Sequence, residues 1–161
     1  MSFSEKDESG NTVDNGAIKD KCNWAYANNV LLIASSGNDN RNQVNYPARY
    51  ESVIAVGALD SMGSKRHVSI LDESGSNYGP NLELMAVGER VYSADICCED
   101  CKYSAATGTS FAAPQVAGVA ALVMSGDIPS ECDTNGNNKW DAIEVRKRLR
   151  DTADNLSLIH I

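Results

Sequence analysis

The stretch Val30-Leu31-Leu32-Ile33-Ala34-Ser35-Ser36-Gly37-Asn38-Asp39 decides the fold class. Side chains of a strand point alternately to its two faces, so an unbroken apolar run such as Val30–Ala34 is what a strand covered on both faces requires. The run then breaks into a polar loop. Val53-Ile54-Ala55-Val56, closed by Gly57, repeats the pattern. Leu82-Glu83-Leu84-Met85 and Val91-Tyr92-Ser93 predict two more strands, parted by a turn at Gly88. Upstream, Ile18, Cys22 and Ala25 recur at helical spacing within Ala17–Asn28 and predict an amphipathic helix. Downstream, Ser110–Met124 has no polar face, so a central helix buried all round is expected there. A last helix, Asp141–Thr152, places Ala142, Val145 and Leu149 on one face and its arginines elsewhere. Helices alternating with continuously apolar strands imply an α/β fold, a mainly parallel sheet with flanking helices.

The chain has 161 residues, enough for one domain or a piece of one. Its 42% apolar and 22% charged residues are those of a globular protein. A net charge of −8 argues against nucleic acid and anionic membrane as partners. The longest apolar stretch, Val116–Met124, is too short to span a bilayer, and no leader pattern opens the chain. Of five cysteines, Cys97, Cys98 and Cys101 crowd one loop, with no second pair or nearby His to suggest zinc. At least one disulfide is expected, within that loop or from it to Cys22 or Cys132, as in an exported protein.

The chemical signal lies in Gly108-Thr109-Ser110-Phe111-Ala112-Ala113-Pro114. A serine at the start of a helix has its own N–H among the donors left unpaired there, and the helix dipole favours negative charge beside it. Pro114 deletes a helical bond to the Ser110 carbonyl near the helix start, where the loss is tolerable. By themselves these residues fit a nucleophile or a plain N-cap at Thr109 or Ser110. Asn38, in a loop at the carboxyl end of a buried strand, could supply a second donor for an oxyanion, or simply form a turn.

Taken together, these segments resemble the subtilisin-like serine proteases. GTSFAAPQVAGVAALV is similar to the block around the family's nucleophile, and LLIASSGNDN to the strand and loop of its oxyanion-hole Asn. YPARYESVIAVGALD and LELMAVGERVYSA resemble the family's intervening segments, and Met1-Ser2-Phe3-Ser4 the end of its cleft-lining strand. The resemblance implies a partial subtilisin-like fold, with Ser110 and Asn38 catalytic. It also implies Ser2, Phe3 and Ser4 as one wall of the substrate cleft, Ser35, Ser36 and Gly37 beside the specificity pocket, and a cis Tyr46–Pro47 bond. Gln115 stands where the family has His, and Val87 where it has Pro. The family's catalytic Asp and His lie upstream of all these segments. His67 is expected on the surface, and His160 falls in the terminal LSLIHI. Residues 1–155 are therefore expected to be the C-terminal portion of a catalytic domain, nearly inactive alone, and 156–161 a non-native tail. The expected partners are protein or peptide substrates, outside the cell, with the protease a monomer needing no cofactor for its chemistry.

Asp133, Asn135, Asn137, Asp141 and Glu144, with the Lys139 carbonyl, match the oxygen-ligand spacing of an EF-hand-like calcium loop within residues 132–144. Asn138 replaces the usual glycine, and Asn tolerates a left-handed backbone. The expectation is a structural Ca²⁺; the alternative is a polar turn ending in a helix start near Asp141. Other functional readings are a non-catalytic calcium-binding module, a pseudoprotease, or an α/β-hydrolase. The hydrolase order requires Asp and then His after the serine, and the only later His is His160.

Overall fold

A computed structural model describes residues 1–4, 6–64, 66–69, 73–95 and 103–154. Three parallel strands form the main sheet: β1 (Leu32–Ser35), β2 (Val53–Leu59) and β3 (Leu84–Val87), in the order β1-β2-β3. Leu32 lies opposite Val53 and Val56 opposite Leu84. An antiparallel hairpin, β4 (Val91–Ala94) and β5 (Tyr103–Ala106), stands apart from it. The helices are α1 (Gly16–Ala27), α2 (Thr109–Ser125) and α3 (Ala142–Thr152). The expected α/β architecture with a mainly parallel sheet is thus what the chain adopts.

Every residue of β2 is buried, because both faces of the sheet are covered. Ile54, Val56 and Ala58 point to a cluster completed by Ala112, Ala113, Val116 and Ala120 of α2 and by Val145 and Leu149 of α3. Val53 and Ala55 point the opposite way, joining Ala34, Cys22 of α1, and Val44, Ala48 and Tyr50. The two-residue alternation of the strand therefore feeds two cores, which is why its sequence reads as one apolar run. Arg146 ties α3 to the segments leading into β3 and β2, donating to Glu83 at 2.5 Å and to the Glu51 carbonyl.

Three expectations need correction. Helix α2 is not enclosed: Thr109, Ala112, Ala113, Val116 and Ala120 are buried, while Val119 and Leu122 face outward, because the sheet covers only one of its sides. Cys22 and Cys132 are free thiols, so no disulfide reaches either, and burial pushes the Cys22 thiol pKa up. His67 is half-buried rather than on the surface, its backbone bridging the Ala58 carbonyl and the Ser76 N–H. Cys97, Cys98, Cys101, His160 and the 156–161 tail lie outside the described residues. The Tyr46–Pro47 bond is cis. Among the described residues, no helix is long and apolar enough to cross a membrane.

Candidate active site

Strand β1 delivers its chain to the carboxyl edge of the sheet, where open α/β folds place their sites. There Ser35 passes into Gly37-Asn38-Asp39, and α2 begins directly opposite. Gly108 is the N-cap of α2, with φ 148° and no side-chain cap. A Cβ on Gly108 would lie 3.3 Å from the Asn38 amide nitrogen, so glycine lets the loop and the helix start approach closely. Neither Thr109 nor Ser110 serves as an N-cap, which removes the capping alternative for the serine.

Thr109 has a different task. Its N–H donates to the Asn38 Oδ1 at 2.9 Å, and its hydroxyl donates to the same oxygen at 3.0 Å. The Gly37 N–H donates to the Thr109 hydroxyl at 3.3 Å. With its oxygen doubly held, the Asn38 amide can present only its NH₂ toward the cleft. No acceptor occupies that NH₂ among the described residues, and no hydrogen bond there ties the Ser110 hydroxyl. The Ser110 N–H belongs to the first turn of α2, which leaves it without a helical acceptor. Two donors and a free hydroxyl therefore converge at one helix start. The Ser110 carbonyl, relieved of its helical partner by Pro114, accepts the Ser2 hydroxyl at 3.3 Å.

Residues 1–4 run beside β1, the Met1 carbonyl accepting the Ser35 N–H at 3.0 Å. A recess of about 180 Å³ opens between the two. Ser2, Phe3, Ser4 and Lys6 line one side, Ser35, Gly37, Asn38, Asp39 and Asn45 the other, with Thr109 and Ser110 at the end. Ser36 does not line it. It is fully buried and turned inward, its hydroxyl donating to the Asn77 carbonyl at 3.3 Å. Among the described residues, no histidine lines the recess.

Two supports have no signature in the sequence pattern. Asn77 is fully buried, and its Oδ1 accepts the N–H groups of Asp39 and Arg41 at 2.9 and 3.1 Å. Its Nδ2 donates to the Ser36 carbonyl at 3.2 Å, so one side chain holds the whole loop. Gly37, at φ 104°, could carry no Cβ, which would fall 2.3 Å from the Asn45 and 2.4 Å from the Asn77 amide nitrogens. The Asp39 carboxylate accepts from Lys6, Asn45 and Asn77. Burial alone would raise its pKa, but those bonds and the Lys6 charge hold it below the usual carboxylate value. Gln115, meanwhile, donates to the Val87 carbonyl at 2.6 Å, so the two positions that depart from the family pattern touch each other.

The 133–144 loop is built from its own oxygens. Asp133 accepts the N–H groups of Gly136, Asn137 and Asn138; Asn135 accepts that of Asn137, and Asn137 that of Lys139. Asn138 takes the left-handed conformation at φ 57°. Asp141 is the N-cap of α3 in a capping box with Glu144. Glu144, 2% exposed, also accepts the Thr134 N–H and hydroxyl at 2.6 and 2.8 Å. Burial would raise the Glu144 pKa, but the bonds from Thr134 and Asp141 hold it below the ordinary value.

A family model described as the subtilase family matches residues 1–160. Subtilisin DY of Bacillus licheniformis is 40% identical over 144 residues, covering 87% of this chain and 45% of that protein. Alkaline elastase YaB of Bacillus sp. (strain YaB) is 34% identical, over 91% of this chain and 34% of its own length. A thermostable alkaline protease of Halalkalibacterium halodurans is 38% identical, over 89% of this chain and 34% of its own length. The chain thus spans between about a third and a half of the relatives it matches. A family match over nearly every residue, falling on a helix start and a strand end arranged in this way, establishes that the chain belongs to the subtilase family.

Proposed function

We propose that this chain carries the nucleophile and the oxyanion hole of a serine endopeptidase, and that Ser110 forms an acyl-enzyme with its peptide substrates. The observation that carries this reading is the double lock of Thr109 on the Asn38 oxygen, which leaves the Asn38 NH₂ and the Ser110 N–H as a pair of donors. A histidine outside the described residues takes the Ser110 hydroxyl proton as Oγ bonds to the substrate carbonyl carbon. The carbonyl oxygen, now an oxyanion, lies between the Asn38 NH₂ and the Ser110 N–H. Collapse of this intermediate expels the amine, which leaves with the proton from the histidine. Water repeats the sequence to release the acid and restore Ser110.

The catalytic Asp and His belong, in this reading, to the portion of the complete protease preceding residues 1–155. A monomer acting outside the cell on protein or peptide substrates is part of the same reading, in line with relatives named alkaline protease and elastase. Complete protease treated with phenylmethylsulfonyl fluoride is expected to be modified at Ser110 and to lose its casein hydrolysis. The Ser110→Ala variant should be inactive. Undiminished hydrolysis in that variant would overturn the assignment.

A second reading concerns the 133–144 loop, for which we propose a structural Ca²⁺. The donor set is of hard oxygens, and Asn138 adopts the left-handed turn such a loop requires at that place. Asp133, Asn135, Asn137, Asp141 and the Lys139 carbonyl would hold the ion, with Glu144 closing the loop by exchanging its Thr134 bonds for the metal. Calcium raising the thermal midpoint relative to a chelator supports this, and an unchanged midpoint refutes it.

A further inference from the structure

We propose that the Lys6–Asp39 ion pair sets the specificity of the recess beside Ser110, neutralising the carboxylate there so that the substrate side chain it receives is uncharged. The proposal rests on the serine endopeptidase reading above. Lys6 Nζ lies 2.6 Å from the Asp39 Oδ1, bridging the two walls of the recess. Lys6 and Asp39 are the only charged residues lining it among those described.

Asp39 does not depend on Lys6 for its position. Its other oxygen accepts Asn45 Nδ2 at 2.8 Å and Asn77 Nδ2 at 3.3 Å, and its own N–H is held by Asn77. Lys6 is thus the contact on the open side, and its side chain is 39% exposed against 22% for Asp39. Pairs so exposed add little to stability, so the weight of this one is in the local potential. With Lys6 in place, a cationic substrate side chain would have to displace an ammonium already seated on the carboxylate. A neutral side chain leaves the pair intact. Remove the lysine charge, and a fixed, uncompensated carboxylate faces the incoming side chain.

The test compares kcat/KM on tetrapeptide p-nitroanilides that differ only in the residue before the cleaved bond, Lys against Met, using the complete protease. The Lys6→Met variant is expected to raise the Lys-to-Met ratio about two- to fivefold, the size an exposed charge contact allows. Adding Asp39→Asn should return the ratio to its starting value. An unchanged ratio in Lys6→Met, or a gain that survives Asp39→Asn, overturns the proposal. Benzamidine binding, followed through the side-chain amide NMR signals of Asn38 and Asn45 in the Ser110→Ala protease, needs no turnover. Binding should tighten with Lys6→Met, and equal binding with and without Lys6 also overturns the proposal. If cleavage persists without Ser110, the serine assignment fails separately, and the benzamidine titration still judges the ion pair.

Discussion

Thr109 stands between Asn38 and Ser110, and its hydroxyl holds the Asn38 oxygen instead of capping α2. Valine there would keep the N–H bond to Asn38 but lose the hydroxyl bond and leave the Gly37 N–H without its acceptor. The Asn38 amide would then be held by one bond and free to turn. Thr109→Val is therefore expected to lower kcat by about tenfold with little change in KM, and Thr109→Ser to recover most of it. A change confined to KM would mean that the threonine shapes binding and not the oxyanion donor. Asn38→Ala should cost more, about 10²–10³ in kcat, a value that belongs to subtilisin itself and is carried over to this family member. The placement of Ser110 at a helix start and of Asn38 beyond a strand end was legible because each stands at the end of an element whose pattern is local. Thr109 and Asn77 were not, because their partners lie 71 and 38 residues away, at a distance where no periodicity is written.

At the scale of elements, the loop into α3 shows how a carboxylate can act as a fastener. Glu144 closes the capping box from inside and draws Thr134 onto the helix start. Glu144→Ala should cost about 1–2 kcal/mol, the range for a lost cap that strands buried donors, measured by urea unfolding. Because its pKa is lowered in the folded protein, the charge stabilises the fold above the unfolded carboxylate value. That contribution is lost as pH falls through the folded value. The acid side of the stability profile should accordingly be shallower in Glu144→Gln than in the parent, and parallel profiles would sink the assignment. Pattern reading found α1, α2, α3 and four strands, since each carries its own apolar period. It missed β5, Tyr103-Ser104-Ala105-Ala106, whose small residues are not strand formers and whose place is fixed by pairing with β4.

For the molecule as a whole, the informative surface is the outer side of α2. The sheet and α3 bury one stripe of this helix, yet Val119 and Leu122 stand 50% and 72% exposed on the other, next to Ala117, Gly118 and Ala121. A soluble chain rarely leaves so apolar a helix face bare unless something covers it. The all-apolar pattern of α2 is that of a helix with neighbours on every side, whereas the structure covers only one of its sides. The described residues supply neighbours on one side, and the relatives are two to three times as long as the matched part. Replacing Val119 and Leu122 together by Lys should then act in opposite directions in two settings. In the 161-residue chain alone, the double variant should bind less of the dye ANS and self-associate less, with its far-UV circular dichroism retained. In the complete protease, the same pair would place two ammonium groups against a covering layer, and the thermal midpoint should drop steeply. A complete protease that tolerates both lysines without loss of midpoint would show that this face is solvent surface, and that the apolar pattern of α2 answers to the sheet alone.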